Sequence, residues 1–238
     1  MFAILLAAGS GKRLYPYTKD IPKCMLEVGG KSIICHQIDR LRKCGVQDIV
    51  VVTGHGAEKL KTICGNEIIY VHNKEYDTTN SLYSLWLARE YAQNGCLIFN
   101  ADVLFHINIL KRLIDCKYED CVVVDLSQGD DEEAMKVKIV DHRVISMSKE
   151  LKRGEYQGEN LGLIKLSPRG AKFLFNKIDE IISKGTVRVW VPYSIDYIAS
   201  EYTINAISTD GHPWIEIDFI EDLELAREKI YPLIDKNT

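Results

Sequence analysis

The string LAAGSGKRLYPYTKDIPKCML, residues 6–26, sets Gly9, Ser10 and Gly11 directly behind an apolar run and follows them with Arg13 and Lys23. Residues with little or no side chain let backbone N–H groups turn toward an anion, and two cations nearby would share its charge. That combination suits polyphosphate binding; the other reading is a tight turn with two surface cations. The G-K-[ST] ending of a P-loop is missing, and the G-x-G-x-x-G spacing of a dinucleotide loop is unmet. A carboxylate follows later, Asp102 in FNADVLF (99–105), closing a buried run at the edge where open α/β sheets bind ligands. Another, Asp218, stands in WIEIDFIEDLELARE (214–228). Carboxylate oxygens are ligands that Mg²⁺ takes beside phosphate and water. Alternatively Asp218 caps the next helix, with Glu221 and Asp222 complementing its dipole.

Such residues act together only if the fold gathers them, and the hydrophobic pattern indicates how. Runs at 2–7, 48–53, 68–71, 96–101 and 121–126 read as strands buried on both faces. Helical spacing fills 32–44, 81–92 and 107–115, with Asn80 or Ser81 as the cap of the second. Strand–helix–strand repetition predicts an α/β fold with parallel pairing and right-handed crossovers. Beyond residue 126 the pattern changes. An acidic turn at 129–133 precedes strands at 135–140 and 143–148 joined at Asp141 and His142, a polar loop at 149–160, a strand at 161–166 and a helix at 168–183 opened by Ser167 and Pro168. No Pro-rich linker or repeat divides the chain, so residues 1–238 are expected to form one domain whose second half, 127–238, elaborates the first, 1–126.

Composition narrows the classes. Of 238 residues, 46% are hydrophobic and 27% charged, ordinary globular usage, and 30 Lys and Arg against 34 Asp and Glu leave a net charge of −4. That balance is too mildly acidic for nucleic-acid or anionic-membrane binding through a global field. The opening apolar run, 1–8, falls far short of the roughly 20 residues of a membrane span and has no basic flank, so a cytoplasmic location is expected. Seven Cys without a C-x-x-C spacing read as buried reduced thiols rather than a zinc site.

The string L-A-A-G-x-G-x-R-L with P-K about nine residues on resembles the signature of the nucleotidyltransferase superfamily, which couples an NTP to a phosphorylated acceptor and releases pyrophosphate. Segments 72–90, 132–139, 145–151 and 214–228 resemble its CTP-dependent branch, the phosphocholine, aminoethylphosphonate and inositol-phosphate cytidylyltransferases. The resemblance implies a Rossmann-like three-layer sandwich, a mostly parallel central sheet and a small elaborated acceptor-binding subregion. It implies that Leu6, Ala7, Ala8, Gly9, Ser10, Gly11 and Lys12 hold CTP, that Arg13 and Lys23 neutralise its phosphates, and that Asp102 and Asp218 hold Mg²⁺. Asn100 and Ala101 depart from the G-D usually written before that first Asp. Asn80, Ser81, Lys136 and Lys149 would meet the acceptor or triphosphate; by themselves Asn80 reads equally as a helix cap and Lys136 as a solvated strand lysine. The acceptor's ionised oxygen attacks the α-phosphorus in line, so no general base or covalent nucleophile is assigned. Two other functions stay open: a sugar-1-phosphate nucleotidyltransferase using UTP or dTTP, and a non-catalytic nucleotide-binding regulator.

Trp190, Tyr193, Tyr197, Tyr202 and Trp214 fall within 25 residues, interleaved with Asp196 and Glu201. Aromatic faces beside a carboxylate would suit an ammonium-bearing acceptor, with Tyr193, Asp196 and Trp214 as its contacts; the same aromatics could pack a core or a homodimer contact.

Overall fold

The computed structural model describes residues 1–127 and 133–235. Most of the acidic turn expected at 129–133 therefore lies outside the described residues. The first half follows the expected alternation. Strand β1 (Phe2–Ala7) leads through the glycine loop to a short hairpin, β2 (Glu27–Val28) and β3 (Lys31–Ser32), and then to α1 (Ile33–Lys43). Next come β4 (Ile49–Thr53), α2 (Ala57–Cys64), β5 (Ile69–His72), α3 (Ser81–Leu87), β6 (Cys96–Asn100), β7 (Val103–Phe105), α4 (Ile107–Asp115) and β8 (Cys121–Asp125). Helix α2 had no counterpart in the sequence reading, and the helix expected at 81–92 breaks into α3 and a 3₁₀ turn at Arg89–Ala92.

The second half holds β9 (Lys136–Val140), β10 (Arg143–Ser148), β11 (Gly158–Leu166), α5 (Pro168–Ser183), α6 (Val191–Ile198), β12 (Asn205–Ser208), β13 (Trp214–Glu216), α7 (Ile220–Leu225) and α8 (Tyr231–Asp235). Asp141 and His142 join β9 to β10 with positive φ, the tight hairpin their position suggested. Strand β11 starts three residues earlier than the pattern indicates. Its first residues, Gly158 and Glu159, pair with β9 while Asn160 faces the cleft, so polar character there marks a site and not a loop.

The sheet runs β5-β4-β1-β6-β11-β8-β12-β10-β9. Pairing is parallel from β5 to β6, but β11 enters antiparallel to both β6 and β8, so the sheet is mixed where a mostly parallel one was expected. The cause is connectivity: the hairpin β9–β10 reverses the chain before β11, with no crossover helix to restore direction. Alternate strand residues serve opposite faces. Ile4, Val50, Ile98, Val122 and Ile164 meet α3, α5 and α6; Leu5, Val51, Leu97, Phe99 and Val123 meet α1, α2 and α4. This is the three-layer α/β sandwich. A third cluster, with Leu14, Ile33, Leu104, Ile217 and Leu223, seats the C-terminal helices beside the two-stranded ribbon of β7 and β13. No helix among the described residues is long and apolar enough to cross a membrane.

Candidate active site

The ribbon of β7 and β13 explains how residues 102 and 218 meet. Val103 pairs with Glu216 in antiparallel register, and Ile217 N donates to Asp102 O at 3.2 Å. Asp102 stands just before one strand and Asp218 just after the other, so the pairing carries both to the same end. In WIEID, Glu216 and Asp218 are two apart and share a face, which brings a third carboxylate to the two that sequence spacing points to. One oxygen from each of Asp102, Glu216 and Asp218 lies within 4.8 Å of the others.

Lys23 enters this acidic group from the turn after the glycine loop. Its Nζ pairs with Asp102 Oδ2 at 2.6 Å and with Asp218 Oδ1. Burial works against the Lys23 ammonium, yet Asp102, Asp218 and Glu216 hold its pKa well above the usual lysine value. Burial also opposes ionisation of Asp218, and Lys23 overrides it, leaving that carboxyl below its ordinary value. Glu216 goes the other way: burial and the Asp102 carboxylate, opposed by Lys23, push it up to about 8. One ammonium cannot neutralise three carboxylates, so the least accessible keeps its proton. This gives a pH prediction. A carboxyl whose folded pKa lies above its unfolded value of about 4.3 binds a proton in the native state that the unfolded chain has released, so its stabilisation is fully present below about pH 4 and is lost as pH rises through about 8. In metal-free buffer, Glu216→Gln should flatten the decline of melting temperature between pH 5 and about 8.5; parallel profiles would show Glu216 ionised throughout.

Asp218 does not cap α7. Asp222 does, accepting from Asp218 N at 2.9 Å and from Phe219 N at 2.8 Å, which leaves the Asp218 carboxylate to Lys23. Asp102 Oδ1 is buried without a hydrogen-bond partner. An unsatisfied carboxylate oxygen inside an all-oxygen donor set fits a hard cation such as Mg²⁺.

The turn that carries Asp102 is held from α1. Gln37 Nε2 donates to Asn100 O at 2.9 Å and to Val103 O at 2.7 Å, gripping the backbone on either side. Gly162, at φ +74°, clears space for the Asn100 side chain, which an added Cβ would meet at 2.4 Å. Leaving two buried carbonyls unpaired costs on the order of 1–3 kcal/mol each. Gln37→Leu should therefore lower the melting temperature by several degrees and reduce kcat about tenfold with little change in nucleotide KM; unchanged kcat would make Gln37 a packing residue only.

A cleft of about 360 Å³ opens above these carboxylates. Leu6, Ala8, Gly9, Ser10, Gly11, Lys23, Asn80, Ser81, Asp102 and Asp218 line it, which brings together most of the residues the sequence singled out. A Cβ on Gly9 would meet nothing within 4 Å, whereas Gly11, at φ +60°, packs where a Cβ would lie 3.0 Å from that of Lys23. Asn80 Oδ1 accepts from Ser81 N, and Ser81 Oγ accepts from Val191 N, so both residues anchor α3 while facing the cleft. Tyr76, Thr79, Ser84, Asn100, Glu133, Met135, Lys149, Asn160, Trp190, Pro192 and Glu216 complete the wall. Thr79 and Ser84 carried a faint signal, a hydroxyl-rich stretch around a helix start, and buried Asn73 bonds to both.

Several expected contacts stand elsewhere. Ala7 lines a small hollow beneath the glycine loop, and Lys12 is outside the cleft lining. Arg13 lies at the rim, with NH1 3.9 Å from Asp218, its guanidinium over Phe219 at 5.0 Å and Glu133 at 3.4 Å. Lys136 Nζ donates to Lys149 O at 2.7 Å, which braces the segment carrying Lys149. The aromatic cage is not assembled. Asp196 is consumed by Ser146 Oγ and Met147 N, tying α6 to β10. Tyr193 stacks on Tyr197 at 6.4 Å on the exposed side of α6, and Tyr202 donates to Asp120. Trp214 donates to Asp125 at 2.6 Å and faces an adjoining hollow. Only Trp190 reaches the cleft, with Lys149 Nζ 5.2 Å from its ring centre.

Comparison with known proteins finds nucleotidyltransferases, a UTP–glucose-1-phosphate uridylyltransferase of Haloferax volcanii among them. The profile of the MobA-like NTP transferase domain matches residues 3–166. The CTP:phosphoglutamine cytidylyltransferase of Campylobacter jejuni is 30% identical over 254 aligned residues, covering 96% of this chain and all of that protein. Among solved structures, the inositol-1-phosphate CTP transferase of T. maritima superposes with a TM-score of 0.83 at 25% identity, over 99% of this chain and 95% of the other. The CTP:phosphocholine cytidylyltransferase of Streptococcus pneumoniae gives 0.77 at 25% identity, over 95% and 97%.

Proposed function

This chain belongs to the MobA-like NTP transferase family and is a nucleotidyltransferase, and from that premise we propose that it moves CMP from CTP to a small phosphate monoester or phosphonate, releasing pyrophosphate. The observation that carries this reading is Lys23 Nζ held between Asp102 and Asp218 beneath the glycine loop. CTP is favoured among nucleotides by the Campylobacter jejuni, T. maritima and Streptococcus pneumoniae relatives above, each of which acts with CTP.

The nucleotide-binding half, 1–126, also supplies the acceptor-facing wall at 76–84, and the half at 127–238 supplies Lys149 and returns Asp218 to the carboxylate group. Asp102, Glu216 and Asp218 would hold Mg²⁺, which when bound neutralises triphosphate charge. Backbone N–H groups of Gly9 to Gly11 face the phosphates, and the open space beside Gly9 admits them. Lys23, and Arg13 from the rim, balance the charge that grows on pyrophosphate as the bond to the α-phosphorus breaks. The acceptor oxygen, already ionised, attacks from the opposite side without a general base. With the ammonium cage dispersed, acceptor selection falls to Tyr76, Thr79, Asn80, Ser81 and Ser84, a wall of hydroxyl and amide groups, and to Lys149 as the cation nearest the acceptor phosphate.

Pyrophosphate release measured with CTP, UTP, dTTP, ATP and GTP, each beside phosphocholine, aminoethylphosphonate, phosphoglutamine, inositol phosphate and glucose-1-phosphate, tests this directly. CTP with a non-sugar acceptor should give the largest kcat/KM. A preference for UTP or dTTP with glucose-1-phosphate would move the enzyme to the sugar-nucleotide branch, and silence across the panel would support the regulatory reading.

A further inference from the structure

Toward the end of β11 away from the cleft, Lys165 pairs in register with Cys121 of β8 and leaves only 8% of its surface exposed. Its Nζ donates to Ile114 O at 3.1 Å, to Cys116 O at 3.2 Å and to Cys116 Sγ at 3.1 Å. Three donors meet three acceptors, and among the described residues no carboxylate pairs with this amine. A buried amine without a carboxylate partner is costly, and one of the three contacts that satisfy it here is sulfur. Cys116 Sγ lies 3.3 Å from Cys121 Sγ. Cys116, at the end of α4, is partly exposed, while Cys121 is fully buried behind it. Reactive cysteines occupy electropositive, partly exposed surroundings, and redox-active ones have a second thiol in reach.

We propose that Cys116 and Cys121 form a peroxide-oxidised dithiol, with Lys165 directing the chemistry to Cys116. The Cys116 sulfur attacks one oxygen of hydrogen peroxide; a sulfur–oxygen bond forms as the oxygen–oxygen bond breaks, and the departing hydroxide leaves as water with the thiol proton. Lys165 Nζ, already at the sulfur, hydrogen-bonds the leaving oxygen. The Cys121 thiol then displaces the hydroxyl of the sulfenic acid, forming the disulfide and releasing a second water. Two thiols lose two electrons and one peroxide gains them. Burial and the neighbouring Cys116 raise the pKa of Cys121, so peroxide meets Cys116 first, and the 3.3 Å separation of the two sulfurs lets Cys121 resolve the sulfenic acid.

The sequence provides its own assay, because Lys117 separates the two cysteines for trypsin. A second thiol pair, Cys35 and Cys64, lies between α1 and α2, so the experiment uses a Cys35→Ser background. After brief treatment with hydrogen peroxide and blocking of remaining thiols with N-ethylmaleimide, peptides 113–117 and 118–136 should appear joined, lighter by two hydrogens, and should separate on reduction. Lys165→Met should slow their joining at least about tenfold. Cys121→Ser should stop at the sulfenic acid, leaving peptide 113–117 labelled by dimedone, a readout that holds even if the buried Lys165 variant fails to fold. Both peptides alkylated at peroxide levels that oxidise other cysteines, or no dimedone label on 113–117 in Cys121→Ser, would overturn the proposal.

Discussion

Asp218→Asn and Asp102→Asn should each lower turnover by at least about 10²–10³-fold at saturating Mg²⁺ and CTP, the loss typical when one preorganised electrostatic group is removed. Folding should survive. Asp102 and Asp218 reach the site from the two strands of one ribbon, whose backbone pairing does not use their carboxylates. The helix after Asp218 keeps its cap through Asp222, so the substitution leaves α7 intact. In the asparagine variants Lys23 retains a carboxylate partner, and added Mg²⁺ should raise the melting temperature less than in the native protein. Near-normal turnover of Asp218→Asn would mean that the carboxylate group serves only to seat Lys23.

Lys23→Met should produce a comparable loss of turnover, about 10²–10³-fold, with a smaller change in CTP dissociation constant, because the charge Lys23 meets is greatest as pyrophosphate departs. The variant also removes the ammonium between Asp102, Glu216 and Asp218, with Arg13 at the rim still 3.9 Å from Asp218. Like charges at this separation destabilise, so the metal-free variant should melt below the native protein at pH 8, and Mg²⁺ should recover more of the difference than in the native protein. Equal turnover with only a raised KM for CTP would move the transition-state role to Arg13.

Much of the parallel half is legible in residue order alone. Strands β1, β4, β6 and β8 could be read directly because strands buried on both faces need continuous apolar runs. The glycine loop was legible because backbone approach to phosphate needs residues without bulk in a fixed order with nearby cations, all within 25 residues. Asp102 was visible because a carboxylate at the end of a buried strand has no structural reason to be there.

Tertiary structure decided what depends on distant partners. Glu216 follows an i, i+2 pattern with Asp218, yet only the register of β13 against β7 turns that pair toward Asp102 and Lys23. The entry of β11 antiparallel into the sheet came from a hairpin whose reversal no periodicity encodes. The aromatics at 190–214 shared a stretch of sequence but not a place, because Asp196 is claimed by β10, Trp214 by Asp125 and Tyr202 by Asp120. Proximity along a chain constrains side chains only within one strand or helix face; across loops and between elements, hydrogen-bond partners set direction, and those partners are chosen by the packed fold.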